Sequence, residues 1–167
     1  MKTYYLVTAI LSFLNLAILV YKDIEKKTSY YSKLLLIIIC LANLGYLALG
    51  VSSTIEEAIL ANKITYLGGC FMPPIMAACM CSLCNIKMNR YIKCSCILFS
   101  AVVYMMVLCT GFSDFYYRSI RLGNFHDATA LIVERGPGYK FFYVILYGYM
   151  IVDVVITIIA FVKKQVT

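Results

Sequence analysis

Residues 56–84 read EEAILANKITYLGGCFMPPIMAACMCSLC, and the fold turns on this stretch. Beyond Glu56 and Glu57 its sole charge is Lys63. Roughly 20 mainly apolar residues, rising 1.5 Å each, cross the 30 Å hydrocarbon layer of a bilayer. The stretch is therefore long enough to be a transmembrane helix. It also carries Gly68, Gly69, Pro73 and Pro74 near its middle. Consecutive prolines remove two amide donors and crowd the preceding turn, which predicts a kink or an opening in the helix. Opened backbone at that depth is tolerated only against protein or a water-filled cavity. Two readings follow: a binding pocket beside the break, or a kink that only shapes the bundle.

Working outward, four more apolar runs have spanning length, at residues 3–21, 31–51, 94–112 and 141–162, with the run above covering 55–84. The chain has 167 residues, 63% hydrophobic and 14% charged, and a mean hydropathy of +0.86. A soluble domain of this size cannot hide that much apolar surface, so lipid must cover the excess. The first run ends at Tyr21 and Lys22 without a small-residue cleavage site, which predicts a retained span instead of a signal peptide. The net charge of +7 comes from basic residues that cluster in the connections, as topology signals do, and does not suggest nucleic-acid binding. Lys22, Lys26, Lys27, Lys33, Lys87, Arg90, Lys93, Lys163 and Lys164 fall on one side; Lys2, Arg118, Arg121, Arg135 and Lys140 fall on the other. The richer side is expected to be cytoplasmic, giving an outside N-terminus and an inside C-terminus.

The longest connection, residues 113–140, has the charges and glycines of an exposed segment. Alternation around residues 117–122 and 128–133, separated by GNFHD, predicts a β-hairpin that lids the outer face, with a disordered loop as the other reading. GPG at Gly136–Gly138 then breaks the strand. No internal repeat or linker divides the chain, so residues 1–167 read as one membrane unit. The expected class is an all-α membrane protein, a bundle of five transmembrane helices with a short extracytoplasmic β-hairpin.

Few residues offer chemistry. Lys63 lies about 12 Å into its span and Asp153 about 18 Å into the last, and an unpaired charge at such depth is costly. A pair across one interior cavity is one reading. The other has Lys63 reaching back to the interface and Asp153 near water on the inner side. Asn15, Asn43 and Asn62 fit the role of interhelical amides. His126 stands alone in the expected hairpin turn. Cys79, Cys81, Cys84, Cys94 and Cys96 could meet at similar depth and hold a metal, but adjacent members of a C-x-C pair on a helix point about 200° apart. They are expected to pack as small apolar side chains, with no metal or cofactor. Cys40, Cys70 and Cys109 lie within apolar runs. No nucleophile with a base, phosphate-cradling loop or carboxylate pair appears, so no enzyme is expected.

EEAILANKITYLGGCFMPP with its following basic loop, FYYRSIRL, and IVERGPGYKFFYVILYGYM resemble the seven-helix sensor region at the N-terminus of bacterial histidine kinases. The resemblance rests on Glu57, Asn62, Lys63, Tyr66, Leu67, Gly68, Pro73, Pro74, Tyr117, Arg118, Gly136, Pro137 and Tyr139. It implies reception of an outside or intramembrane cue and its transfer to a cytoplasmic signalling partner. The chain departs from the pattern in its cysteine-rich CMCSLCNIK and in stopping after five helices, before the last two spans and an output domain. Ligand-cavity candidates are then Asn62, Lys63, Tyr66, Gly68, Gly69, Pro73, Pro74 and Asp153, with Tyr117, Arg118, His126, Glu134 and Arg135 as lid candidates. The expected partners are the lipid bilayer, a small ligand, and a cytoplasmic output protein or a second copy. The rival reading is a small transporter with its site at a broken third helix.

Overall fold

Short polar connections between apolar runs turn the chain back and forth across one layer. The computed structural model describes residues 1–25, 30–125 and 128–166. Along the chain it contains α1 (Lys2–Glu25), α2 (Tyr30–Val51), α3 (Ile55–Leu83), α4 (Arg90–Leu108), β1 (Tyr117–Phe125), β2 (Ala128–Arg135) and α5 (Tyr139–Val166). All five helices are long and apolar enough to cross a membrane. Their outward faces support that reading: Leu6, Ile10, Leu14 and Ile18 on α1, and Met150, Val154, Ile158 and Phe161 on α5, are exposed. Contiguous apolar surface of this extent is stable only against lipid or another protein.

Helix α3 is the axis. It packs on α2, α4, α5 and both strands, whereas α1 packs principally on α2. Its start is set by Thr54, which accepts the Glu57 N–H at 3.2 Å while Glu57 reaches back to the Thr54 N–H. This reciprocal cap satisfies donors that a helix start leaves open. The α2–α3 contact depends on the absence of side chains. A Cβ on Gly45 would lie 2.6 Å from the Thr65 nitrogen, and one on Gly68 would collide with Ala42. Small residues let the two backbones approach closely, the usual basis of helix association in a bilayer.

The core lies between α3, α4 and α5 as three clusters stacked along α3. Ala77, Cys81 and Ile156 form one, Cys70, Val103 and Ile145 the next, and Val107, Tyr116 and Tyr117 the last, under the hairpin. The strands pair antiparallel from Phe125↔Ala128 to Tyr117↔Arg135, with an irregularity between Tyr117 and Ser119. They include Gly123, Asn124 and Phe125, so the ladder extends through most of the stretch expected to be a turn. His126 lies outside the described residues, as do Lys26 and Lys27.

The third helix is placed, and the bounds of the fourth are corrected. Helix α3 runs through Pro73 and Pro74 as a single element. Packing on three neighbouring helices holds it together where two ladder bonds are missing. Helix α4 begins at Arg90 and ends at Leu108, so Cys94 is already one turn inside it and Cys109 is its exposed C-terminal cap.

Candidate functional site

One face of α3 carries Asn62, Thr65, Tyr66, Gly69, Met72 and Pro73, a recurrence of three or four residues that places them along one side of a helix. That side looks into the cleft between α2 and α5, which both pack on α3 but scarcely touch each other. There it forms one wall of a cavity of about 510 Å³, closed by Ala42 and Tyr46 from α2 and by Tyr139, Phe142 and Leu146 from α5. The volume is that of an ordinary small-molecule site.

The lining is aromatic and uncharged. Tyr66 and Phe142 meet edge to face with centroids 4.9 Å apart, and Tyr139 lies 5.9 Å from Phe142. Among the polar groups, the Thr65 hydroxyl is already committed, donating to the Ala61 carbonyl at 3.1 Å. Asn62 is 9% exposed, and its Nδ2 has no hydrogen-bond partner. Pro73 has no N–H, so the carbonyl of Gly69 lacks its usual helical donor on the same wall.

Tyr66 also reaches the hairpin. The hydroxyl of Tyr117 on β1 donates to the hydroxyl of Tyr66 at 2.8 Å. Around this bond, Tyr116 packs edge-on against Tyr66 at 5.7 Å and against Tyr117 at 4.8 Å, and lies 5.4 Å from Tyr139. Burial holds the hydroxyls of Tyr116 and Tyr117 above the usual tyrosine range, so both stay neutral at any physiological pH. A second tether joins the hairpin to α2, where the Thr129 hydroxyl donates to the Ser52 carbonyl at 2.7 Å. A third is the Arg135 guanidinium, 4.9 Å above the Tyr139 ring and 5.7 Å from that of Tyr143. After β2, the Gly136 N–H donates to the Tyr116 carbonyl at 2.8 Å, and a Cβ there would lie 2.7 Å from the Asp114 carbonyl oxygen. The GPG segment thus seats the hairpin as well as ending a strand.

Of the cavity candidates, Asn62, Tyr66, Gly69 and Pro73 line this space together. The other four do not. Gly68 faces α2 and Pro74 is buried on another face of α3. Lys63 and Asp153 are not brought together: the Lys63 ammonium lies 5.8 Å from the Phe112 ring centroid, beyond the end of α4, while Asp153 lies near Cys81. The one-residue step from Asn62 to Lys63 turns the lysine about 100° away from the cavity. Asp153 keeps a buried, unpartnered Oδ1.

Of the lid candidates, Tyr117 is buried in the latch, Arg135 stacks on α5, and Arg118 and Glu134 are exposed. Cys79 approaches Ser32 of α2 at 3.5 Å, whereas Cys81 packs against Ile156 of α5, opposite directions that match their spacing. Among the described residues no group of three His, Cys, Asp or Glu is placed to hold a metal ion. Asn15 is exposed and Asn43 half-buried, so of the three amides Asn62 alone is enclosed. Sequence reading missed Ala42, Tyr46, Thr65, Met72, Phe142 and Leu146, and named Tyr139 only through the resemblance. Thr65 and Met72 could have been found from the spacing on α3; the α2 and α5 residues depend on which helices become neighbours.

Helix lengths, lipid-type surfaces and a hairpin seated at one end of the helices define a multi-pass helical membrane protein. The chain belongs to the family described as the N-terminal 7TM region of histidine kinase, whose model matches residues 4–167. That family is a membrane sensory region, distinct from the catalytic part of those kinases. No curated protein and no solved structure matches the chain.

Proposed function

We propose that the chain is the ligand-receiving part of a signalling protein in the bacterial cytoplasmic membrane, with the hairpin and N-terminus outside and the C-terminus inside. A small molecule in the cavity between α2, α3 and α5 is the signal. A cytoplasmic output protein or a second copy of the chain carries it onward. One observation supports this reading above the others: Tyr66 belongs both to the cavity wall and to the hydrogen bond that holds β1. An occupant that moves Tyr66 therefore changes how firmly the hairpin is held and how α5 stands beneath it. Such an occupant acts by binding one arrangement better than the other. The transporter reading relied on a broken third helix, and α3 is continuous.

The coupling can be tested without a known ligand. In reconstituted protein, Gly69→Leu places a side chain in the cavity against the Phe142 ring, which a Cβ already approaches at 3.2 Å. Gly148→Leu adds the same bulk where no atom lies within 4 Å. Gly69→Leu is expected to change amide exchange in β1 about fivefold, the effect of weakening one buried hydrogen bond, while Gly148→Leu leaves it unchanged. Equal responses would remove the coupling.

A further inference from the structure

We propose that the cavity takes an uncharged, membrane-partitioning molecule with a carbonyl-type hydrogen-bond acceptor at its head, and that this molecule enters sideways from the bilayer. The inference rests on the ligand-receiving role proposed above and adds the chemistry of the occupant and its route.

The lining excludes charge. Among the described residues no Lys, Arg, Asp, Glu or His lines it, and Lys63 points elsewhere. An ion would leave water for an apolar space without a counter-charge, which is strongly unfavourable. The lining instead offers ring faces and edges from Tyr46, Tyr66, Tyr139 and Phe142 to an apolar or planar body.

The lining also asks for one acceptor. Asn62 is nine-tenths buried and lines the cavity with an unpartnered Nδ2, and a buried amide donor left open is costly. Neighbouring groups do not relieve it. The Thr65 and Tyr117 hydroxyls donate to Ala61 and Tyr66, and although the Tyr117 oxygen lies alongside Asn62, neither oxygen is in hydrogen-bonding geometry with Nδ2. A ligand oxygen beside Asn62 would satisfy the amide and keep both bonds.

The route follows from helix packing. The cavity occupies the cleft where α2 and α5 fail to close on each other, and its rim residues Tyr46 and Leu146 are 45% and 43% exposed. Counted from the hairpin ends of their helices, at Val51 and Tyr139, they lie about 8 and 10 Å deep by helical rise. An opening at that depth faces acyl chains instead of water. The hairpin, tethered at Tyr66 and Ser52, covers the aqueous side.

Benzophenone is a suitable probe, being neutral, lipophilic, planar-ringed and a ketone that inserts into C–H bonds on irradiation. The chain is reconstituted in phosphatidylethanolamine–phosphatidylglycerol nanodiscs and irradiated with it, and adducts are quantified by peptide mass spectrometry. Met72 lines the cavity; Met105 and Met150, 59% and 58% exposed to the bilayer, report general lipid-phase labelling. Adducts at Met72 should exceed those at Met105 and Met150. Excess benzophenone-4-carboxylate should not compete at Met72, and diphenylmethane, which lacks the oxygen, should compete weakly. Asn62→Leu should lower Met72 labelling about fivefold, as expected for loss of one hydrogen bond, and Asn62→Gln should restore part of it.

Enriched Met72 labelling that is indifferent to Asn62→Leu, or is displaced equally by the carboxylate and by diphenylmethane, would overturn the proposed ligand class while leaving a ligand cavity in place. Met72 labelling no greater than that of Met105 and Met150, and unchanged by Gly69→Leu, would overturn the cavity as a binding site altogether. Labelling that persists when the probe is confined to water by a sulfonated substituent would overturn the bilayer route.

Discussion

The Tyr117 hydroxyl on β1 donates a 2.8 Å hydrogen bond to the Tyr66 hydroxyl on α3, joining positions 51 residues apart and fastening the hairpin to the wall of the cavity. Replacing either residue with Phe removes one partly buried neutral hydrogen bond, worth about 1 kcal/mol. Both single variants should raise protease sensitivity and amide exchange in β1. The double variant should add little to either, because the same bond is already lost. Additive effects in that cycle would mean the hydroxyls act separately.

The glycines separate into those that seat helices and one that does not. Gly45→Ala and Gly68→Ala force α2 away from α3, since their Cβ atoms would overlap Thr65 and Ala42. Overpacking of this kind costs about 1–3 kcal/mol, expected as a lower melting temperature in detergent. Gly148→Ala has open space and replaces a mid-helix glycine, so it should be neutral or raise stability by up to about 1 kcal/mol. A Gly45→Ala melting curve matching that of Gly148→Ala would contradict the close α2–α3 contact.

Lys63 and Asp153 are expected to behave independently. Since Lys63 faces Phe112 and Asp153 approaches Cys81, Lys63→Met and Asp153→Asn should combine additively in stability, within about 0.5 kcal/mol. A double variant clearly more stable than the sum of its singles would establish a pair that this arrangement lacks.

Orientation has its own test. In a cysteine-free background, single cysteines at Ser53 and Asn124, both exposed at the hairpin end, should react with an impermeant thiol reagent added outside cells. Asn89, exposed at the opposite end, should react only after the inner face is opened. The reverse pattern would place the hairpin in the cytoplasm.

Much of this architecture is legible in the amino-acid order because the bilayer imposes simple requirements. Five apolar runs of spanning length, separated by polar connections, became five helices. Alternation on either side of residues 123–127 became a hairpin. The resemblance carried by Asn62, Tyr66, Pro73, Tyr117 and Tyr139 led to residues that line the cavity or hold the latch above it. Pro73 and Pro74 lie within one continuous α3, where packing on three sides acts beside the local rule that predicts a kink or an opening.

What the sequence by itself determined is therefore the number of spans, the hairpin and the polar positions along each helix, because burial in lipid and helical or strand periodicity act on neighbours in the chain. Tertiary structure alone decided which helices would meet. Close contact at Gly45 and Gly68 draws α2 onto α3, α5 settles on another side of α3, and the cleft left between them becomes the cavity. The rotation of α3 that turns Asn62 into that cleft carries Lys63 toward Phe112. Packing between distant helices sets that rotation, which is why the amide and the lysine, adjacent in sequence, have different surroundings.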